Sequence, residues 1–394
     1  MENVSLSLQE QVHLLAEYMC QNYEFRHNVL SDKYEVREKN AKPSTPFRPL
    51  TREAVNSISR RIKADGLEIQ QLRQNLEEFI YSEETTKYDP IGEYLEYLPK
   101  WDGQDHVADL FGRIPGITPE QHYLLGVWIR SMVAHWMGMD ILHGNECVVT
   151  LIGDQGCGKS TWCSRLLPPH LRTYYLDHIN LSNKFDKEMA LTNNLLVNID
   201  EMDQIKPGQH AQLKQTLSKP VVEGRPIYGR EQKTRRRYAS FVATTNNQHP
   251  LTDRTGNRRY LCVRIPENVL IDNDSEINYP QLYAQIVHQL RQEQQRYWFT
   301  NEEVKRIEAL NLNYQSINDL ESMVDYCFRA PLPNETVKPM LVSEVVRQIA
   351  DEFPSIKMGM STSVKVGCIL KERNYERKNI TQGHAYYIVS RKTA

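Results

Sequence analysis

Apolar positions along this chain follow two rhythms, and the change from one to the other marks out its parts. Val12, Leu14, Leu15, Tyr18 and Met19 fall at the spacing of one helical face. Ser7 and Glu10 supply a capping box ahead of them, so a helix is predicted over 7–22. The stretch 28–50 carries Pro43, Pro46 and Pro49 among mixed charges and reads as extended chain or linker. Helical spacing returns over 51–65, closed by Gly66, and over 68–83. Thr118, Pro119 and Gln121 combine an N-cap, a proline at the first helical position and a capping-box partner. The helix they open, through Trp128, Met132, Trp136 and Met137, is apolar on most faces and should be buried.

From 146 onward the pattern shifts to short β-branched runs. Strands are predicted near 146–152, 173–176, 195–200, 238–244 and 259–265, alternating with helices, which implies an α/β core with a mostly parallel sheet. Beyond Pro266 helices return near 278–294, 300–311 (capped by Thr300 and Glu303) and 315–329, before a linker at 330–333. The tail shows helices near 341–353 and 361–373, then strands at 375–380 and 385–390 around Gly383. Helices followed by a hairpin fit either a winged-helix module or a packing cap. The chain thus divides into a helical N-terminal region (1–87), a helical pre-core segment (88–145), a core (146–266), a helical segment (267–329) and the tail (330–394).

Composition narrows the function classes. With 394 residues, 40% hydrophobic and 25% charged, the chain is ordinary for a soluble multidomain protein. Its formal net charge of −2 means that any grip on nucleic acid must come from a local cluster and not from the overall field. The seven cysteines are scattered and never spaced C-x₂-C, which argues against a disulfide framework or a zinc site. No basic leader with an apolar core and no run of about 18 apolar residues occurs, so a cytoplasmic location away from membranes is expected.

The chemistry concentrates in the core. Gly153, Asp154, Gln155, Gly156, Cys157, Gly158, Lys159, Ser160 and Thr161 fit the Walker A pattern between a predicted strand and a helix. Such a loop turns its N–H groups inward around phosphates; Lys159 would reach the β- and γ-phosphates of ATP, and the Ser160 hydroxyl would help hold Mg²⁺. Cys157 has a secondary interpretation as an oxidation-sensitive position. Some 40 residues on, an apolar strand ends in Asp200 and Glu201. Asp200 suits Mg²⁺, and Glu201 suits orienting or deprotonating the attacking water. The next strand ends in Asn246, placed to touch the γ-phosphate and that water. Arg258 or Arg259 could project into a neighbouring subunit's phosphates. Between these lie Arg225, Tyr228, Arg230, Lys233, Arg235, Arg236 and Arg237, read as a basic hairpin with Lys233 near its tip, in which cations meet DNA phosphates and aromatics stack on bases.

Taken in order, Walker A, Asp200–Glu201, the basic hairpin, Thr244–Thr245–Asn246 and Arg258–Arg259 make the chain resemble the virulence-associated protein E family. That family is similar to the superfamily 3 helicases of phages, plasmids and integrated elements, built on an AAA+ P-loop core. Tyr88–Leu95 and Trp101–Gly103 also look like its pre-core segment, and the resemblance spans roughly 88–266. It implies an ATP-driven homo-oligomeric ring on single-stranded or forked DNA, with catalytic sites between subunits and hairpins lining a channel. Nothing here resembles the primase module of many relatives, so priming would fall to a separate partner. An ATPase switch in nucleic-acid defence or regulation shares every motif, whereas a P-loop small-molecule kinase has no use for an arginine-rich hairpin.

Overall fold

The computed structural model describes all residues except 1–6, 43, 141–142, 206, 225–232, 253–256, 317–319, 355, 381–382 and 392–394. The chain divides into two units, Met1–Leu312 and Asn313–Ala394.

The first unit opens as the capping box predicts. The Ser7 hydroxyl accepts from the Glu10 amide and the Glu10 carboxylate accepts from the Ser7 amide, starting α1 (Leu8–Asn22). The chain then passes directly into strands β1 (Tyr23–Asn28), β2 (Lys33–Glu38) and β3 (Arg48–Pro49). Helices α2 (Arg52–Ala64) and α3 (Leu72–Ile80) and strand β4 (Thr86–Tyr88) complete a four-stranded sheet of order β3-β2-β1-β4. The expectation of a wholly helical region over 1–87 is therefore corrected, while the stretch 28–50, expected as extended chain or linker, supplies the extended strands β2 and β3. The cause is a period-two pattern: Tyr23 and Phe25 share one face with Tyr34 and Val36, and this face packs on Leu15, Met19, Ile58 and Leu76 from all three helices. The other face seats the Arg26 guanidinium against Phe47 and Tyr88, 4.0 and 3.5 Å from the ring centroids, and 2.6 Å from Glu35.

Short helices α4 (Pro90–Glu96) and α5 (His106–Gly112) lead to α6 (Pro119–Trp136), started by the predicted Thr118–Gln121 box. Leu124, Trp128, Met132 and Trp136 of α6 are fully buried in the main core. The core itself follows the alternation: β5 (Val148–Ile152), α7 (Lys159–Arg165), β6 (Tyr175–Leu176), α8 (Lys184–Asn193), β7 (Leu196–Ile199) and α9 (Pro207–Ser218). A two-stranded ribbon, β8 (Val221–Gly224) and β9 (Lys233–Arg236), precedes β10 (Ser240–Thr245) and β11 (Tyr260–Arg264). The central sheet is five-stranded and wholly parallel, in the order β11-β5-β10-β7-β6. Since β5 connects forward to β6 at the far edge, two strands intervene and a crevice opens at the C-terminal ends of β5, β10 and β7.

Helices α10 (Tyr279–Arg291) and α11 (Asn301–Asn311) close this unit. Glu303, buried at the start of α11, takes a two-pronged bond from Arg296 at 2.6 and 2.8 Å, one from the Tyr123 hydroxyl at 2.7 Å and one from the Thr300 amide at 2.7 Å. Burial alone would raise its carboxyl, but these donors, Arg296 foremost, hold it down to about 2. A carboxyl near 4.3 when unfolded and depressed when folded stabilises above the unfolded value and loses that contribution as pH falls toward about 2. Glu303→Gln should therefore cost roughly 2 kcal/mol at neutral pH. The gap between the two proteins' unfolding midpoints should close as pH drops below about 4.

The second unit contains α12 (Leu320–Cys327), β12 (Phe328–Arg329), β13 (Met340–Leu341), α13 (Val342–Glu352), α14 (Met360–Glu372), β14 (Arg377–Ile380), β15 (Gly383–Tyr386) and β16 (Val389–Ser390). One antiparallel sheet has the order β13-β15-β14, and β12 pairs with β16. Val324 and Phe328 share a core with Val345, Ile349, Val366 and Leu370, so the helix expected at 315–329 belongs to this unit and the linker expected at 330–333 lies inside it. No helix among the described residues is long and apolar enough to cross a membrane. The seven cysteines are free thiols.

Candidate functional site

Strand β5 ends at Ile152 and the chain turns through Gly153–Gly158 into α7, the strand–loop–helix order that gives the motif its physical meaning. Gly156 and Gly158 adopt φ of 83° and 93°, a left-handed backbone that side chains with a Cβ resist. At Gly158 a Cβ would also stand 2.4 Å from the Asn273 amide nitrogen. The segment after β11 fastens the loop from outside: the Ile271 amide donates to the Cys157 carbonyl and Asn273 Nδ2 to the Gly158 carbonyl, both at 3.0 Å. The Cys157 thiol is buried.

Lys159 is buried, 7% exposed, and its ammonium donates to the Gly153 and Asp154 carbonyls at 2.8 and 2.7 Å and to Asn246 Oδ1 at 3.0 Å. The lysine thus folds over its own loop and meets the residue at the end of β10. From the neighbouring β7, Asp200 enters the same crevice, its Oδ1 accepting from the Thr244 hydroxyl at 2.5 Å. Consecutive strand residues point to opposite faces, yet Asp200 and Glu201 line one cavity. The backbone at Glu201 makes this possible by turning left-handed, φ 50° and ψ 51°, a conformation that costs a non-glycine residue about 1 kcal/mol. The cavity, about 440 Å³, is lined by Gln155, Gly156, Lys159, Ser160, Thr161, Asp200, Glu201 and Asn246.

Asp203, Thr244 and Thr245 line it too and were not singled out as site residues from sequence. The Thr245 hydroxyl donates to Asp203 at 2.5 Å while its carbonyl accepts from the Gly153 amide at 3.2 Å, so β10 ties the acidic turn to the glycine-rich loop. The available signal was the two adjacent threonines that close a fully buried strand whose middle, Phe241–Ala243, is apolar.

Arg258 and Arg259, expected to act on a neighbouring subunit, do not line this cavity. Parallel register sets Tyr260 beside Val148 and Arg264 beside Ile152, so Arg258 and Arg259 lie at the end of the sheet away from the loop, some 15 Å of strand distant. Arg259 is 3.3 Å from Glu146, while Arg258 is exposed. Both line a separate cavity of about 690 Å³ with His135, Tyr297 and Trp298.

The basic ribbon is corrected in part. It forms, with Gly224 paired to Lys233, which places Lys233 in an arm and not at the tip. Arg225, Tyr228, Arg230 and the side chain of Lys233 lie outside the described residues. Arg235 donates to Thr192, Asn193 and the Leu30 carbonyl, and Arg236 to the Trp136 carbonyl at 2.9 Å. Arg237 is 1% exposed and donates to the carbonyls of Ala239, Leu217, Lys219 and Asn145. These three guanidiniums tie protein segments together through carbonyl, amide and hydroxyl oxygens, Arg237 fully buried and Arg235 and Arg236 partly exposed.

Residues 95–316, more than half of the chain, match the Virulence-associated protein E-like domain. The chain belongs to that family. No curated protein matches it. Among solved structures, the apo structure of the NrS-1 C terminal region is similar over 97% of this chain and 100% of its own, at 11% identity and a TM-score of 0.44. An A form apo structure of the same region covers 96% of this chain and 99% of its own, at 12% identity and a TM-score of 0.42. The virulence-associated protein E-like match includes every residue of the cavity and Arg258 and Arg259; the N-terminal sheet and nearly all of the second unit fall outside it.

Proposed function

We propose that the chain hydrolyses ATP and acts on DNA as a replication helicase of the superfamily 3 type, built on an AAA+-like P-loop core and working as a homo-oligomeric ring. The convergence of Lys159, Ser160, Asp200, Glu201 and Asn246 on one cavity, at the ends of three neighbouring parallel strands, carries this proposal. The donor set fits Mg²⁺ with a triphosphate: a hydroxyl and a carboxylate supply hard oxygens, and this cation takes one or two carboxylates with phosphates and water completing its shell. Bound ATP with Mg²⁺ would supply a phosphoryl group ready for transfer, its charge shared with the metal. Lys159 would hold the phosphates, Ser160 and Asp200 would hold the metal, and Thr244 fixes the Asp200 carboxylate. Glu201 orients water and takes its proton. Asn246, already bonded to Lys159, couples that water to the phosphate end.

Because Arg258 and Arg259 are too far to serve their own site, they are assigned to a neighbouring subunit's. Mixing inactive Lys159→Ala subunits with inactive Arg258→Ala subunits should restore part of the activity, since some interfaces then hold both intact groups. No recovery despite demonstrated co-assembly, for Arg258→Ala and for Arg259→Ala, would remove the shared arginine.

One observation favours an ATPase switch without processive unwinding: Arg235, Arg236 and Arg237 face inward, leaving less cation for a channel. Strand displacement on forked DNA, with ATP hydrolysis followed in parallel, separates the two. A helicase gives displacement and DNA-stimulated hydrolysis; a switch gives DNA-stimulated hydrolysis without displacement. Hydrolysis unaffected by any DNA would sink both, and in either case priming is assigned to a separate protein.

A further inference from the structure

The second unit concentrates features that the nucleotide site does not use. Its order of elements is helix α12, strand β13, helices α13 and α14, then the hairpin β14–β15, with β15 in the middle of the sheet. This arrangement is that of a winged helix, in which the last helix stands proud and the hairpin forms a wing beside it. Helix α14 buries Val366, Ile369 and Leu370 and leaves Met360, Ser361, Val364, Lys365, Cys368, Lys371 and Glu372 on one exposed stripe. Met360 and Val364 are 87% and 61% exposed, and Met358 just before them 67%, an apolar exposure that folding does not explain. The wing presents Arg377, Lys378, Asn379 and His384 to solvent. Glu321, Asp325, Asp351 and Glu352 lie on α12 and α13, Glu372 and Glu376 are exposed at the end of α14 and just before the wing, and Arg373 is turned back to Asp325 at 2.8 Å.

We infer that α14 and the β14–β15 wing form a binding site for duplex DNA, with the helix in the major groove and the wing on the flanking backbone. Thirteen helical residues span about 20 Å, and a helix of ordinary girth fits a groove about 12 Å wide. Lys365, Lys371, Arg377 and Lys378 are placed for phosphates, while Ser361 and the apolar tips of Met360 and Val364 suit base edges and thymine methyls. Duplex is favoured over single strands because the stripe carries no aromatic side chain, and sequence-tolerant single-strand binding relies on aromatic stacking. The inference draws its biological sense from the DNA-acting function proposed above, but binding at this surface needs neither nucleotide nor the core.

The test is the affinity of the full chain for a fluorescent duplex and for the matching single strand, without nucleotide, across a salt series. A Lys365→Ala, Lys371→Ala, Lys378→Ala triple variant should bind duplex at least tenfold more weakly near 0.1 M salt, and its salt slope should be shallower by about two to three, at about 0.9 per lost phosphate contact. Single-strand affinity should change little. Lys159→Ala should bind duplex as the parent does, so failure of the ATPase proposal leaves this result standing. Should the triple variant not fold, single Lys365→Glu and Lys378→Glu proteins carry the same comparison. Parental duplex affinity would overturn the inference and leave the basic face to an acidic protein partner; equal losses on both strand forms would overturn groove recognition.

Discussion

Glu201→Gln should leave ATP binding intact while lowering turnover by about 10²–10⁴, the range for loss of a positioned general base. Lys159→Ala should instead weaken binding itself, because the ammonium is the cavity's buried cation and already bridges the loop carbonyls and Asn246. The distinction follows from backbone and not from charge alone. Asp200 sits at the strand end, its carboxylate fixed by Thr244, whereas Glu201 reaches the cavity through a left-handed turn. Such strain is retained where the surrounding structure imposes it, and here it brings two adjacent carboxylates to one side. Nucleotide binding by calorimetry and hydrolysis by phosphate release, on the same protein samples, check the pair. Hydrolysis at the parental rate in Glu201→Gln would remove it as the catalytic carboxylate, whatever Lys159→Ala did.

Much of the architecture is legible because its determinants are local. The capping boxes at Ser7, Thr118 and Thr300 each form with the partner three residues on, and the strands of the central sheet fall where β-branched runs end in Gly153, Asp200 and Asn246. The N-terminal sheet was missed for a local reason as well. β1 follows α1 with no breaker between them, and its alternation of Tyr23, Phe25 and His27 with Glu24, Arg26 and Asn28 is masked by the prolines that follow. The polar tie between Thr245 and Asp203 could not be read, because it depends on β10 lying between β5 and β7, a matter of strand order. The same holds for the Asn273 contact with Gly158, made across more than a hundred residues.

Arg237 shows the largest gap between pattern and structure, and it yields the strongest stability expectation. In sequence it is one of three consecutive arginines, a pattern that reads as a solvated or DNA-facing cluster. In the fold its guanidinium is buried over Phe241 and ties the chain before β5, the end of α9 and the start of β10 through four main-chain carbonyls. Burial pushes its pKa down to about 9, against the pull of Glu146, so it remains charged at neutral pH. Gly144 makes room for it, since a Cβ there would lie 2.3 Å from Nη1. Arg237→Ala would strand those carbonyls without donors and open a cavity, a loss of about 3–5 kcal/mol. That corresponds to roughly 10 °C in the unfolding midpoint of the larger unit. Arg237→Lys keeps the charge but lacks the fork and should recover only part of the loss. Thermal unfolding of the three proteins, with DNA affinity measured on whatever remains folded, distinguishes a bolt from a DNA contact: the contact predicts parental midpoints and weakened DNA binding, the bolt the reverse.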